Sequence, residues 1–87
     1  MNSILVTECN GDKAWYLNGK FHREDGPAVE HANGNKYWCL DGKLHRTDGP
    51  AVEYANGFKY WFLDGKQLTK EEFFMLKFIN IENLFIL

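Results

Sequence analysis

HREDGPAVE occupies residues 22–30, and HRTDGPAVE returns at 45–53 with only Glu24 exchanged for Thr47. The 23-residue spacing extends well beyond this phrase. Residues 22–43 laid over 45–66 agree at 18 of 22 positions, differing at Glu24/Thr47, His31/Tyr54, Asn35/Phe58 and Cys39/Phe62. A partial third copy precedes them, since residues 10–22 match 33–45 at eight of thirteen positions. Self-similarity at a fixed period means that each unit buries a face against its neighbour in a quasi-one-dimensional array.

Within a unit, Asn-Gly at 10–11, 33–34 and 56–57 separates two short runs rich in β-branched and aromatic residues. Asn-Gly can supply both positive-φ positions of a type I′ turn, so each unit is predicted to be a β-hairpin. The first strands fall near 4–9, 28–32 and 51–55, and the second strands, of pattern Lys-x-Trp-x-Leu, at 13–17, 36–40 and 59–63. A further turn signal follows at Asn18-Gly19, Asp41-Gly42 and Asp64-Gly65, and the His-Arg-x-Asp-Gly-Pro connector then leads into the next hairpin. The expected fold is mainly β, a six-stranded antiparallel hairpin meander in one domain over 1–87, with units at 4–21, 22–44 and 45–67. Strand alternation puts Trp15, Trp38 and Trp61 in a row on one side with Lys13, Lys36 and Lys59, and Tyr16, Tyr37, Cys39, Tyr60 and Phe62 on the other.

The third copy departs from the pattern after Lys66, and Thr69-Lys70-Glu71-Glu72 has the form of a helix capping box. A C-terminal α-helix is therefore predicted over 70–86. Eleven of the last fifteen residues are apolar, more than a single sheet-facing stripe needs. The helix is read as a lid on the sheet and, through Phe73, Phe74, Phe78, Leu84 and Phe85, as a contact for a second copy in a homo-oligomer. It is too short and too polar for a membrane span, so a membrane partner is not expected.

Ten Lys and Arg against twelve Asp and Glu leave a net charge of −2, without the basic excess that general nucleic-acid binding requires. The opening MNSILVTECNG has no basic segment followed by a long apolar run, so a secretory signal is not expected and a cytoplasmic location is. Cys9 and Cys39 lie in no metal-type spacing, and a meander sets them roughly 15 Å apart, too far for a disulfide. They read as reduced thiols in strand-like runs.

The stretch KYWCLDGKLHRTDGPAVEYANG (36–57) resembles the MORN repeat, which also has a 23-residue period and runs from Tyr through Trp and Gly-Lys to His-Gly and a closing Asp-Gly. It is similar above all to a MORN-like variant marked by HRxDGPA, associated with small proteins of tailed phages, giant viruses and some bacteria. The resemblance covers residues 10–66. It implies a hairpin meander with a scaffolding or binding role and names no catalytic residue. Lys13, Lys36 and Lys59 stand where MORN repeats carry Gly two positions before Trp, so lipid binding is not carried over.

Two readings of the repeated phrase follow from its residues. In the first it is a joint: Gly26 and Gly49 give conformational freedom, Pro27 and Pro50 fix φ at a strand entrance, Asp25 and Asp48 hold turn amides, and Arg23 and Arg46 pair with an Asp while His22 and His45 tie each connector to its neighbour. In the second it is a site built twice: equivalent residues stand roughly 10 Å apart, so Arg23 and Arg46 with His22 and His45 form a row able to grip an anion, and Tyr37, Trp38, Tyr60 and Trp61 offer aromatic surface for a base or a partner protein. A shared metal is excluded for His22 and His45, because each would have to lie about 2 Å from it. No Ser or Thr is spaced for activation by a repeated His, so no catalytic residue, cofactor or enzyme activity is expected. The functional expectation is a non-enzymatic interaction module, in its sharper form a phage accessory protein that inhibits a host or anti-phage defence protein in the host cytoplasm. The alternatives are a sponge for a nucleotide-type signal and a structural scaffold or oligomerisation module.

Overall fold

Each unit turns twice, and the backbone angles separate the two kinds of turn. In the computed structural model, which describes residues 3–76, both central residues have positive φ only at Asn18-Gly19 (52° and 78°), Asp41-Gly42 (53° and 80°) and Asp64-Gly65 (52° and 84°). These are the two-residue type I′ turns. The expectation of type I′ geometry at Asn-Gly 10–11, 33–34 and 56–57 is corrected, because there only Gly11, Gly34 and Gly57 have positive φ. The amide of Gly34 donates to the His31 carbonyl and that of His31 to the Asn35 carbonyl, closing a three-residue loop with glycine in the left-handed position. The Asn33 side-chain oxygen accepts from the Asn35 amide, as Asn10 does from Asp12 and Asn56 from Phe58. This forward bond holds the asparagine on the right-handed side and leaves the left-handed residue to glycine.

The strands are β1 (Ile4–Thr7), β2 (Lys13–Leu17), β3 (Lys20–Phe21), β4 (Val29–Glu30), β5 (Lys36–Tyr37), β6 (Cys39–Leu40), β7 (Lys43–Leu44), β8 (Val52–Glu53), β9 (Lys59–Leu63) and β10 (Lys66–Leu68). All pairings are antiparallel, in the order β1-β2-β4-β5-β8-β9-β10, with β3 on β2 and a small β6-β7 ladder. The hairpin meander is thus present, with shorter first strands than expected and with three extra short strands after the type I′ turns.

The connector explains why the strands are short. Trp38 donates its amide to the Ala51 carbonyl while its own carbonyl accepts from His45, so the chain leaves the ladder at His45 and rejoins it opposite the same residue. Trp15 receives His22 and Ala28 in the same way. The phrase is a loop thrown out of one strand, so β7 and β8 are two parts of a single path along the partner strand.

The core is small: Ala28 and Ala51, at the two points of return, are fully buried, as nearly are Val29, Cys39, Val52 and Phe73. At the end of the array the capping box forms, with the Thr69 amide donating to Glu72 Oε1 (2.8 Å) and the Glu72 amide to Thr69 Oγ1 (3.0 Å). The described part of helix α1 spans 70–76. Phe73 is 2% exposed, with its ring 6.4 Å from that of Trp61. It is therefore part of the core and not a contact for a second copy, because a helix docked at its first turn commits that side chain inward. Phe74 is 45% exposed, and Phe78, Leu84 and Phe85 lie outside the described residues.

Candidate functional site

The two sheet faces have different occupants. On the tryptophan face each connector folds its arginine back over the ring it bypasses, with the Arg23 guanidinium 3.8 Å from the Trp15 centroid and that of Arg46 3.9 Å from Trp38. Arg46 Nε donates to Asp48 (2.9 Å), and Nη1 donates to the Pro50 carbonyl (3.0 Å) and to Glu53 (2.9 Å). Arg23 makes the equivalent bonds to Asp25, Pro27 and Glu30. Gly26 and Gly49 are needed for this approach, because a Cβ at either would stand 2.9 Å from the guanidinium carbon. His22 and His45 tie the start of each unit to its type I′ turn: Nδ1 of His22 accepts from the Asp41 amide (2.9 Å), and Nδ1 of His45 from that of Asp64 (2.8 Å).

Arg23, Arg46, Trp38 and His45 come together, as the sequence predicts, around a groove of about 620 Å³ between the two connectors. Glu24, Asp25 and Asp48 line the same groove, so its charge is balanced by the loops themselves. The bonds to Asp25, Pro27 and Glu30 use Nε and Nη1 of Arg23, and those to Asp48, Pro50 and Glu53 use the same atoms of Arg46. Trp61 is not part of this groove; it lies under Phe73, and its buried Nε1 has no hydrogen-bond partner among the described residues.

The opposite face carries a row of rings set edge to face. His31 and Tyr37 are 5.6 Å apart, Tyr37 and Tyr54 6.1 Å, and Tyr54 and Tyr60 5.7 Å, each pair tilted by 74–86°. Beside the row is an apolar cleft of about 350 Å³ bounded by Phe21, Val29, Tyr37, Cys39 and Leu44. Tyr60 and Phe21 are more than a third exposed, and Phe58 is 61% exposed at the adjoining turn. Tyr37 and Tyr60 are among the residues predicted for binding, whereas His31, Tyr54 and Phe21 are additions from the structure. A signal for two of them exists in the sequence: His31 and Tyr54 stand two residues after Val29 and Val52, hence on the same side of their strands.

The titrating groups follow this division. Burial, with the neighbouring Tyr54 second, raises the Tyr37 hydroxyl above its ordinary range, and burial pushes the Cys39 thiol up to about 11. Asp12 is held below the ordinary carboxylate range first by the Ala32 amide, which donates to it at 2.7 Å, and then by His31. Its contribution to stability is present above the usual value of 3.8 and is lost as pH falls through the lowered one. Cys39 is buried and Cys9 is exposed on a turn rather than in a strand, and both are free thiols.

Among the described residues no group of three or more His, Cys, Asp or Glu is arranged to hold a metal ion, and no helix is long and apolar enough to cross a membrane. No family model matches the chain, and neither a curated protein nor a solved structure shows significant similarity to it.

Proposed function

We propose that this chain is a non-enzymatic MORN-like interaction module that holds a partner protein on its tyrosine face. The observation that carries the reading is the edge-to-face row His31–Tyr37–Tyr54–Tyr60 beside an apolar cleft, left half-exposed while Trp15 and Trp38 on the other face are covered by arginines of their own connectors. Rings held by their neighbours offer large contact area at little entropic cost, and tyrosine is frequent among residues that dominate binding energy. The internal copies differ in a way that fits: His31/Tyr54 and Cys39/Phe62 lie on this face, whereas the Trp, Arg, Asp and Gly positions of the joint are the same in both. The partner class follows from the HRxDGPA resemblance, a host or defence protein engaged by a phage accessory protein.

The test is affinity purification of tagged protein from bacterial lysate, with Tyr54→Ala and Tyr60→Ala beside the parent chain. A stoichiometric protein retained by the parent and lost from both variants is the expected result. A partner that binds the variants equally well would remove the tyrosine face from the reading, and a nucleotide released on denaturation with no protein bound would replace it with the sponge.

A further inference from the structure

The array ends in two complementary open edges. Inside the sheet, each first strand is paired on both sides: β4 pairs with β5 through Val29↔Tyr37 and Glu30↔Lys36, and with β2 of the preceding unit through Val29↔Ala14 and Glu30↔Lys13. β8 sits in the same way between β9 and β5. β1 is the equivalent strand of the first unit, with Val6↔Ala14 and Thr7↔Lys13, but among the described residues its other edge has no partner. Ile4, Leu5 and Val6 are 69%, 48% and 40% exposed on it. At the far end the opposite is true. The flank of Lys59 and Tyr60 that corresponds to the β4 and β8 seats carries no strand among the described residues, because β10 reaches only from Leu63 to Trp61 before the chain turns into α1. A groove of about 340 Å³ remains there, bounded by Lys59, Tyr60, Trp61, Leu68, Thr69 and Glu72.

We infer that these edges join head to tail, β1 of one copy entering the vacant seat beside β9 of another so that Thr7 faces Lys59 and Val6 faces Tyr60. The joint repeats the register that the chain already uses at its two internal junctions, and open edges of this kind are templates for pairing. The donors are in place. Glu8 donates inward to Asp12, so by strand alternation the Thr7 amide points outward. The Trp38 amide points across the junction to Ala51, so the Lys36 amide and its equivalent on Lys59 point the same way. Asn35 Oδ1 accepts from the Ala55 amide across an internal junction; at the open end the corresponding residue is the exposed Phe58, which meets Cys9 of the next copy. The interface is heterologous, so association continues as a chain of copies rather than stopping at a symmetric dimer.

Proline at either edge removes one outward donor without touching the inner ladder. Sedimentation over a range of concentrations should show the parent protein growing in mass, while Thr7→Pro and Lys59→Pro each remain monomeric. An equimolar mixture of the two variants should form a one-to-one dimer and stop, since each retains the edge the other lacks. A parent that stays monomeric throughout, association that survives either proline, or a mixture that yields no dimer overturns the inference. Should either variant fail to fold, oxidation of Phe58→Cys decides: with the native Cys9 it should give a ladder of disulfide-linked oligomers that Cys9→Ser abolishes, and absence of that ladder is equally fatal. Thr7 and Lys59 stand outside the tyrosine row, so the proline variants read self-association apart from partner capture; Tyr60 belongs to both surfaces, so Tyr54→Ala is the variant that reads partner capture alone.

Discussion

Trp15 and Trp38 are covered by an arginine from their own connector, whereas Trp61, at the same place in the third unit, is covered by Phe73 from the helix. The difference separates a joint from a cap. A joint must return the chain to the sheet, so its cover is a short loop whose arginine is fixed by two carboxylates and a carbonyl from the returning strand. A cap need not return, and an apolar side chain on a helix suffices. The apolar cover has a cost: the indole N–H of Trp61 has no acceptor among the described residues, and a buried donor left unpaired forfeits about 1–3 kcal/mol.

The largest effect should come from breaking the cap. Phe73→Ala empties one of the few fully buried sites and uncovers Trp61, and truncation of a buried phenylalanine costs about 3–5 kcal/mol, read as a lower urea midpoint. A cost under about 1 kcal/mol would mean that the helix only rests on the sheet. Next is the joint: Arg46→Lys keeps the charge but loses the planar fork that spans Asp48, Pro50 and Glu53, and should cost about 1–2 kcal/mol. Arg23→Lys should match it closely, since its partners are the same. Unequal costs in the two copies would show that the loops are not equivalent joints.

The smallest effect lies between the two thiols. Cys9 should react with a thiol reagent in the native protein at once, and Cys39 only on unfolding. Because burial raises the Cys39 thiol from 9.0 to about 11, the folded chain keeps a proton that the unfolded chain releases in that window. Stability from this group is level below pH 9 and falls as pH rises towards 11, measurable as a declining melting temperature that Cys39→Ala makes shallower, the raised Tyr37 hydroxyl keeping part of the decline.

The repeated phrase makes the meander legible in the sequence, while its Arg, Asp and His positions fit both a joint and a site built twice. What local sequence could not reveal was settled by neighbours. Asn-Gly and Asp-Gly carry similar turn chemistry, and which of them becomes type I′ depends on whether the side chain bonds forward, as Asn33 does to the Asn35 amide. Strands of two residues, such as Lys20–Phe21, are too short to show an alternation. In α1 Phe73, Phe74, Met75 and Leu76 follow one another without a polar break, so the pattern could not rank Phe73 above Phe74; docking on Trp61 does. The tyrosine row was only partly visible, because His31 and Tyr54 gain their meaning from rings on adjacent strands.

Five side-chain bonds along the array have nearly the same reach along the chain. Ser3 to His22, His22 to Asp41 and His45 to Asp64 span 19 residues, and Asp12 to Ala32 and Asn35 to Ala55 span 20. The loop-closure entropy of attaching a unit is therefore set by this fixed separation and not by total length. Folding can begin at any unit and advance by zippering, and an inserted in-register copy would lengthen the sheet without slowing the step that adds each turn of the array.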